Sequence, residues 1–249
     1  GPGAVWHQLE GEVYRAQVGK PIGFFYGYDT KGVFQNGEQI RQFSEKYEDK
    51  LHGGNDKLKP GDLIFRDVTG DGIINDNDRT MIGDPHPDVT VGLNLNLAYK
   101  GFDFSVTGAG AFGQQILRTW ANQDFLTENL NKKIVYGSWK GEGSSNKLPL
   151  FDGFDTPNWK YMSAAMLEDY FKIQNVTLGY DFKRLWKSCP LQQLRVYVAA
   201  NNLITFTKYT GMDPEVASNG GTDDSWAAGI DTGVYPSPRT YLVGVNLKF

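Results

Sequence analysis

The chain has 249 residues, of which 40% are hydrophobic and 14% aromatic, with 30 glycines and a formal net charge of -4. That balance leaves no basic footprint for nucleic acid, and no stretch approaches the roughly 18 consecutive apolar residues of a membrane helix. A mean hydropathy of -0.44 does not count against a membrane barrel, whose strands need only every second residue to be apolar.

The opening GPGAVWHQLEGE lacks the basic start and apolar centre of a secretory signal. Either such a signal has been removed or the chain starts partway through a larger protein. Residues 1–87 are rich in glycine, charge and aromatics. In the run from Val18 to Ile40 the alternation is broken by Pro21, Gly23, Gly27, Gly32 and Gly37, which predicts short hairpins and coil. Ile40 to Lys50 offers one polar helical turn without an apolar stripe.

Within this region Asp67 to Asp78 reads DVTGDGIINDND. Against an EF-hand loop, Asp67, Thr69 and Asp71 take ligand positions one, three and five, and Gly72 stands where the sharp turn needs glycine. Ile73 offers its carbonyl, Asn75 ligates directly or through water, and Asp78 closes the loop. All the donors are hard oxygens, so the expected ion is Ca2+ in a structural role. The final ligand is Asp rather than Glu, and no amphipathic helix pair flanks the loop. The other reading is an Asx-rich turn held by side-chain to backbone hydrogen bonds.

At Asp88 the character changes. Val89, Val91, Leu93, Leu95, Leu97 and Tyr99 alternate with Thr90, Gly92, Asn94, Asn96 and Ala98, a strand of membrane-barrel length. Lys100 and Gly101 form a tight turn into Phe102, Phe104 and Val106. Further strands are expected with Val176, Leu178, Tyr180 and Phe182 on one face, then Leu194, Val196, Val198 and Ala200, and finally Arg239 to Phe249. Their connections run short, long, short, long, as in outer-membrane barrels. Aromatics beside the short turns (Tyr99, Phe102, Tyr180, Phe182, Trp186 and Phe249) would form a girdle, and Asn94, Asn96, Ser105, Thr107, Asn175 and Thr177 would line the lumen. Five strands cannot close a barrel, because open edges are not tolerated in hydrocarbon.

Other candidates carry less chemistry. His7, His52 and His86 have no ligand or catalytic spacing, and solvated or hydrogen-bonded loop histidines account for them. Trp120, Trp139, Trp159 and Trp226 lie in the long connections, where they would stack on a sugar, grip a peptide or pack the loops. Asp223, Asp224 and Asp231 face no nameable acid, base or nucleophile. No enzyme activity is expected.

Four blocks then carry a resemblance: VGKPIGFFYGYDTKGVFQ (18–35), PGDLIFRDVTGDGIINDNDRTMIGDPHPDVTVGLNLNLAYKGFDFSV (60–106), NNLITFTKYTGMDPEV (201–216) and YPSPRTYLVGVNLKF (235–249). In this order they resemble the C-terminal portion of SusC/RagA-type TonB-dependent transporters of the Bacteroidetes outer membrane. The resemblance implies an all-β fold, the C-terminal strands of a 22-stranded antiparallel transmembrane β-barrel with long extracellular loops. It places strands near 88–99, 102–113, 170–182, 193–203 and 239–249. It makes 1–87 an extracellular loop region holding the calcium-type loop at 67–78, and 88–249 the last barrel strands, with long loops near 113–168 and 204–238. The implied function is import of oligosaccharides or peptides. The implied partners are the remainder of the barrel and its plug, a SusD-like surface lipoprotein lid, the TonB complex and outer-membrane lipid. The alternative is a soluble, calcium-stabilised, β-rich carbohydrate-binding module.

Overall fold

The structure, a computed structural model, describes residues 4–5, 14–118, 132–153, 156–160, 165–215, 228–231, 233 and 235–249. The fold is all-β and divides into two compact units, one of 86–114, 167–217 and 234–249, the other of 1–85, 115–166 and 218–233.

The first unit is built on β1 (Val89–Tyr99), β2 (Phe102–Arg118), β3 (Ala165–Asp181), β4 (Gln193–Thr207) and β5 (Thr240–Lys248), hydrogen-bonded side by side in that order. β1 and β2 pair antiparallel without a slip from Tyr99↔Phe102 to Val89↔Phe112. Their turn has φ 47° at Lys100 and φ 93° at Gly101. Positive φ at both central residues matches the right-handed twist of the flanking strands. At Gly101 a Cβ would come within 2.8 Å of the Arg184 side chain and 3.2 Å of the Tyr180 ring, so glycine is also needed there for space.

The five expected strands are present, and three outrun their expected ends. β2 continues to Arg118 because the backbone carries on through GAGAFGQQILR, where small and amide side chains erase the alternation and Gly113 sits at φ 85°. β4 continues to Thr207 beyond Asn202, at φ 52°. There β4 spends three steps, Asn201 to Ile204, against two on β3, Asn175 to Ile173. The extra residue is a β-bulge, with an asparagine in the left-handed conformation that it tolerates better than most side chains.

Residues 1–87, expected to be coil and short hairpins, contribute a folded core to the second unit. Ala4–Val5, Tyr14–Ala16, Phe24–Tyr28 and Arg79–Gly83 form a four-stranded antiparallel sheet. Tyr28, Val33, Leu63, Phe65 and Ile74 form a buried cluster, with Phe43, Tyr47, Leu51 and Trp139 packed against it. The driving force is burial of the aromatic run FFYGY, in which Phe24, Phe25 and Tyr28 are all under 5% exposed. The helix Gly37–Ser44 starts where the Asn36 carboxamide oxygen accepts from Gln39 N at 3.1 Å. None of its residues is fully buried, and Phe43 packs from it against the core cluster. Gly61, at φ +99°, closes the unit against residues 138–150: a Cβ there would lie 2.8 Å from both Leu150 Cβ and the Trp139 ring.

Candidate functional site

The five-strand sheet has two chemically distinct faces. Register places Leu97 opposite Phe104 and Leu95 opposite Val106. It likewise aligns Tyr180, Val196 and Val245, Leu178, Val198 and Val243, and Val176, Ala200 and Tyr241 across three strands. These rows are apolar and largely uncovered, with Leu95 41%, Leu178 45%, Val198 49% and Val243 75% exposed. A contiguous apolar face of this extent marks a surface meant for an apolar partner.

The same face continues past the bulge. Phe102 packs against Tyr180 with ring centroids 4.4 Å apart. Eight residues further along β2, a Cβ on Gly110 would meet the Phe171 ring at 2.9 Å. Phe102 and Gly110 share a face, so Tyr180 and Phe171 must share it too, although nine residues separate them in β3. The phase of β3 therefore shifts between them, where its register with β4 slips between Ile173 and Asn175. The shift extends the apolar rows through Ile173 with Ile204 and Phe171 with Phe206.

The shift also turns Lys172 to the polar side. Lys172 Nζ bonds Glu215 Oε2 at 2.7 Å and Asp213 Oδ2 at 3.3 Å, and its side chain is 2% exposed. Asp213 Oδ2 also accepts from Ser237 N at 3.1 Å, so this buried ion triad ties the segments that follow β4 and precede β5. Lower on the polar face, Arg195 Nε and Nη2 donate to the two carboxylate oxygens of Asp103. The pair spans β3 at Gly179, where a Cβ would stand 2.6 Å from both partners. Arg195 also lies 4.7 Å over the Tyr197 ring, and that ring covers Gly244. Asn175 donates to Asn201 at 2.7 Å, and Asn96 to Asn94 at 2.8 Å. Asn94, Asn96, Ser105, Thr107, Asn175 and Thr177 thus lie on this face with charged groups that the sequence pattern did not single out.

The loop at 67–78 is closed by its own backbone. Asp67 Oδ1 accepts from Gly70 N and Oδ2 from Gly72 N, and Asp71 Oδ1 accepts from Ile73 N. Asp78, fully buried, accepts from Val68 N, Thr69 N and Thr69 Oγ1 through one oxygen and from Asn75 N through the other. Burial works against the charge of Asp78, but these backbone donors outweigh it and hold its carboxyl below the usual range. Asn75 caps the short turn Asp76–Asp78, and Ile74 anchors the loop in the core. Among the described residues no three Asp, Glu, His or Cys side chains converge as a metal-holding group. The spacing of a calcium loop is present, with its carboxylates turned onto backbone N–H groups.

Trp159 is 1% exposed and donates Nε1–H to the Leu150 carbonyl. Trp139 donates to Gln35 Oε1 and packs on the core cluster. Both rings are held by the fold. Trp120, Trp226, His7, Asp223 and Asp224 lie outside the described residues. Asp231 is buried and accepts from Gly233 N.

His52, expected to be a solvated or hydrogen-bonded loop histidine, is of the hydrogen-bonded kind, in a turn with its side chain 4% exposed. Its Nδ1 lies 2.9 Å from Asp49 Oδ2 and its Nε2 lies 3.2 Å from Asn158 Oδ1. The Asn158 amide is oriented by two other bonds, with Leu63 N donating to Oδ1 and Nδ2 donating to Asp62 Oδ1. Both ring nitrogens therefore face acceptors, which only an imidazolium satisfies. Burial opposes that charge, but the Asp49 and Asn158 bonds and the charges of Asp49 and Asp62 outweigh it and raise the pKa of His52. No sequence signal pairs His52 with a residue 106 positions away.

A strand-rich wall with one apolar and one polar face is the construction of an outer-membrane β-barrel. No protein-family model matches the chain. The chain is 33% identical over 249 residues to TonB-dependent receptor P3 of Formosa agariphila, covering 98% of this chain and 24% of that protein. It is 31% identical over 196 residues to TonB-dependent receptor SusC of Bacteroides thetaiotaomicron, covering 77% of this chain and 18% of that one. Among solved structures, the RagAB peptide transporter superposes with TM-score 0.66 at 19% identity, over 98% of this chain and 24% of that one. The "open-open" RagAB peptide importer gives TM-score 0.62. The chain belongs to the SusC/RagA-type TonB-dependent receptors of the outer membrane, and it spans about a quarter of the length of the P3 receptor.

Proposed function

We propose that the chain forms part of the wall of a TonB-dependent importer of oligosaccharides or peptides that works with a SusD-like surface lipoprotein. The barrel remainder, the plug and the TonB-contacting part would be supplied outside these residues. The carrying observation is the row of exposed Leu93, Leu95 and Leu97 backed by the polar row Asn94 and Asn96 on the opposite side of the same strand. A soluble carbohydrate-binding module would bury the leucine row in a closed core, and this sheet leaves it open.

Substitution separates the two faces. In the full-length transporter, Leu95→Arg is expected to cost about 2–4 kcal/mol of barrel stability if the site is at mid-membrane. It would sharply reduce outer-membrane insertion, whereas Asn96→Arg is expected to insert normally. Equal insertion of both variants would remove the membrane-wall reading. Co-purification of a surface lipoprotein, and uptake of labelled glycan or peptide that depends on TonB, test partner and cargo.

For residues 67–78, calcium binding is a proposal resting on the spacing and hard-oxygen character of Asp67, Thr69, Asp71, Ile73, Asn75 and Asp78. A bound ion would have to share Asp67 and Asp78 oxygens already engaged by N–H groups. If calcium binds, EGTA is expected to lower the melting temperature and added calcium to restore it. An unchanged midpoint would leave the self-closed turn as the whole account.

A further inference from the structure

A groove of about 780 Å³ opens in the second unit between the helix Gly37–Ser44 and residues 142–146, within the size class of ligand sites. Its floor is Val33 and Phe34, each 1% exposed. One wall is an aromatic run in which Phe34 meets Phe43 edge-on at 5.1 Å and Phe43 meets Tyr47 at 5.0 Å. The polar lining is biased toward donors. Asn146 Oδ1 is taken by Val33 N, and Gln39 Oε1 by Gln35 N, which leaves the NH2 of each amide, while Gln42, whose Nε2 donates to Glu38, keeps its Oε1 as an acceptor. The Val33 and Ser145 carbonyls are taken by Gln35 Nε2.

Lys31 and Lys46 line the same groove; among the described residues neither has a carboxylate partner, and Lys31 Nζ lies 6.0 Å over the Tyr47 ring. The nearby acids of the helix are engaged elsewhere: Glu38 and Glu45 both bind Arg41. Glu142, the one carboxylate in the lining among the described residues, accepts from Asn36 Nδ2. Two ammonium groups against one carboxylate make a locally positive site in a chain of net charge -4.

From the donor-biased lining, the two unpaired lysines and the aromatic wall, we infer that this groove binds an anionic oligosaccharide, with uronate or sulfate groups on the lysines and a sugar ring against Tyr47. A peptide suits it less well, because the N–H groups of a peptide need acceptors and this lining has spent most of its own. The inference deepens the importer reading by naming a substrate class, but binding at the groove is measured without transport.

The test is calorimetric titration of the detergent-solubilised full-length transporter with trigalacturonate, a sulfated galactose trisaccharide, maltotriose and hexaglutamate. One or both anionic sugars are expected to bind, more weakly at higher salt, with maltotriose much weaker. Lys31→Ala and Lys46→Ala are each expected to weaken that binding about fivefold. Both lysines are exposed, and unchanged circular dichroism would confirm that the variants fold. Equal binding of maltotriose, tighter binding of hexaglutamate, or indifference to both substitutions would overturn the inference. Binding that survives while TonB-dependent uptake is absent would count against the importer reading and leave the groove standing.

Discussion

Replacing Asn158 with alanine is expected to destabilise the second unit by about 3–5 kcal/mol and to abolish exchange protection of the Leu63 amide. The substitution removes the acceptor for two buried N–H groups, those of Leu63 and His52, and a donor to Asp62. Each buried group left unpaired costs about 1–3 kcal/mol, more where charge is involved. Asp62 and Asn158 are 2% and 1% exposed, so water cannot easily replace the missing partner. Hydrogen exchange at Leu63, together with the thermal midpoint, reads both effects. Protection equal to wild type would show that the network does not hold residues 49–63 to 158.

The same network gives stability a direction in pH. The folded pKa of His52 is raised, so its contribution is complete below the unfolded value of about 6.5 and is lost as pH rises through the folded value. On losing a proton, one ring nitrogen presents a lone pair to Asp49 or Asn158, both acceptors. His52→Gln is expected to flatten this alkaline limb. Asp78 has the opposite sign: its folded pKa is lowered, so its contribution is present above about 3.9 and fades as pH falls through the folded value. Tyr28, pushed up to about 12 by burial and by its bond to Asp76, stays neutral throughout this range.

The wall was legible in the sequence because its physics is local. Alternation from Val89 to Tyr99 is set by one strand meeting two environments, and Lys100-Gly101 supplies the turn. Legibility failed where strands leave that regime. The β3 phase shift at Ile173–Asn175 depends on β4, so Lys172 could not be placed on a face from its own position. Residues 1–87 looked like loop because their strands are two to five residues long, too short for a period to show, while their core is assembled from pieces up to 46 positions apart. The groove, the His52 hub and the Asp103–Arg195 pair each join residues about 90 or more apart. The fragment DVTGDGIINDND shows the converse case: its spacing is legible, but spacing does not say whether the carboxylates turn toward an ion or toward the backbone.

Gly110→Ala is expected to cost about 2–3 kcal/mol, and Gly110→Val more, because the contact that fails is with backbone. A Cβ at Gly110 would stand 2.7 Å from the Tyr170 carbonyl oxygen, 2.9 Å from the Phe171 ring and 3.2 Å from the Phe112 ring. Rings rotate away at modest cost, but the carbonyl belongs to the adjacent strand and retreats only if β2 and β3 separate. Gly108 repeats the contact one pleat away, 2.9 Å from the Lys172 carbonyl oxygen, so the Phe171 ring covers a patch that only glycine can floor. Gly92→Ala on β1 is the comparison: among the described residues its Cβ would meet nothing within 4 Å, and a much smaller change is expected. The heat-modifiable mobility shift of the full-length barrel and its denaturant midpoint measure both variants. If Gly110→Ala behaved like Gly92→Ala, close strand approach at Gly110 would not be what fixes the β2–β3 pairing. A loss confined to Gly110 would show that an apolar membrane wall depends on residues with no apolar side chain, since without these glycines Phe171 could not lie flat and extend the outward row.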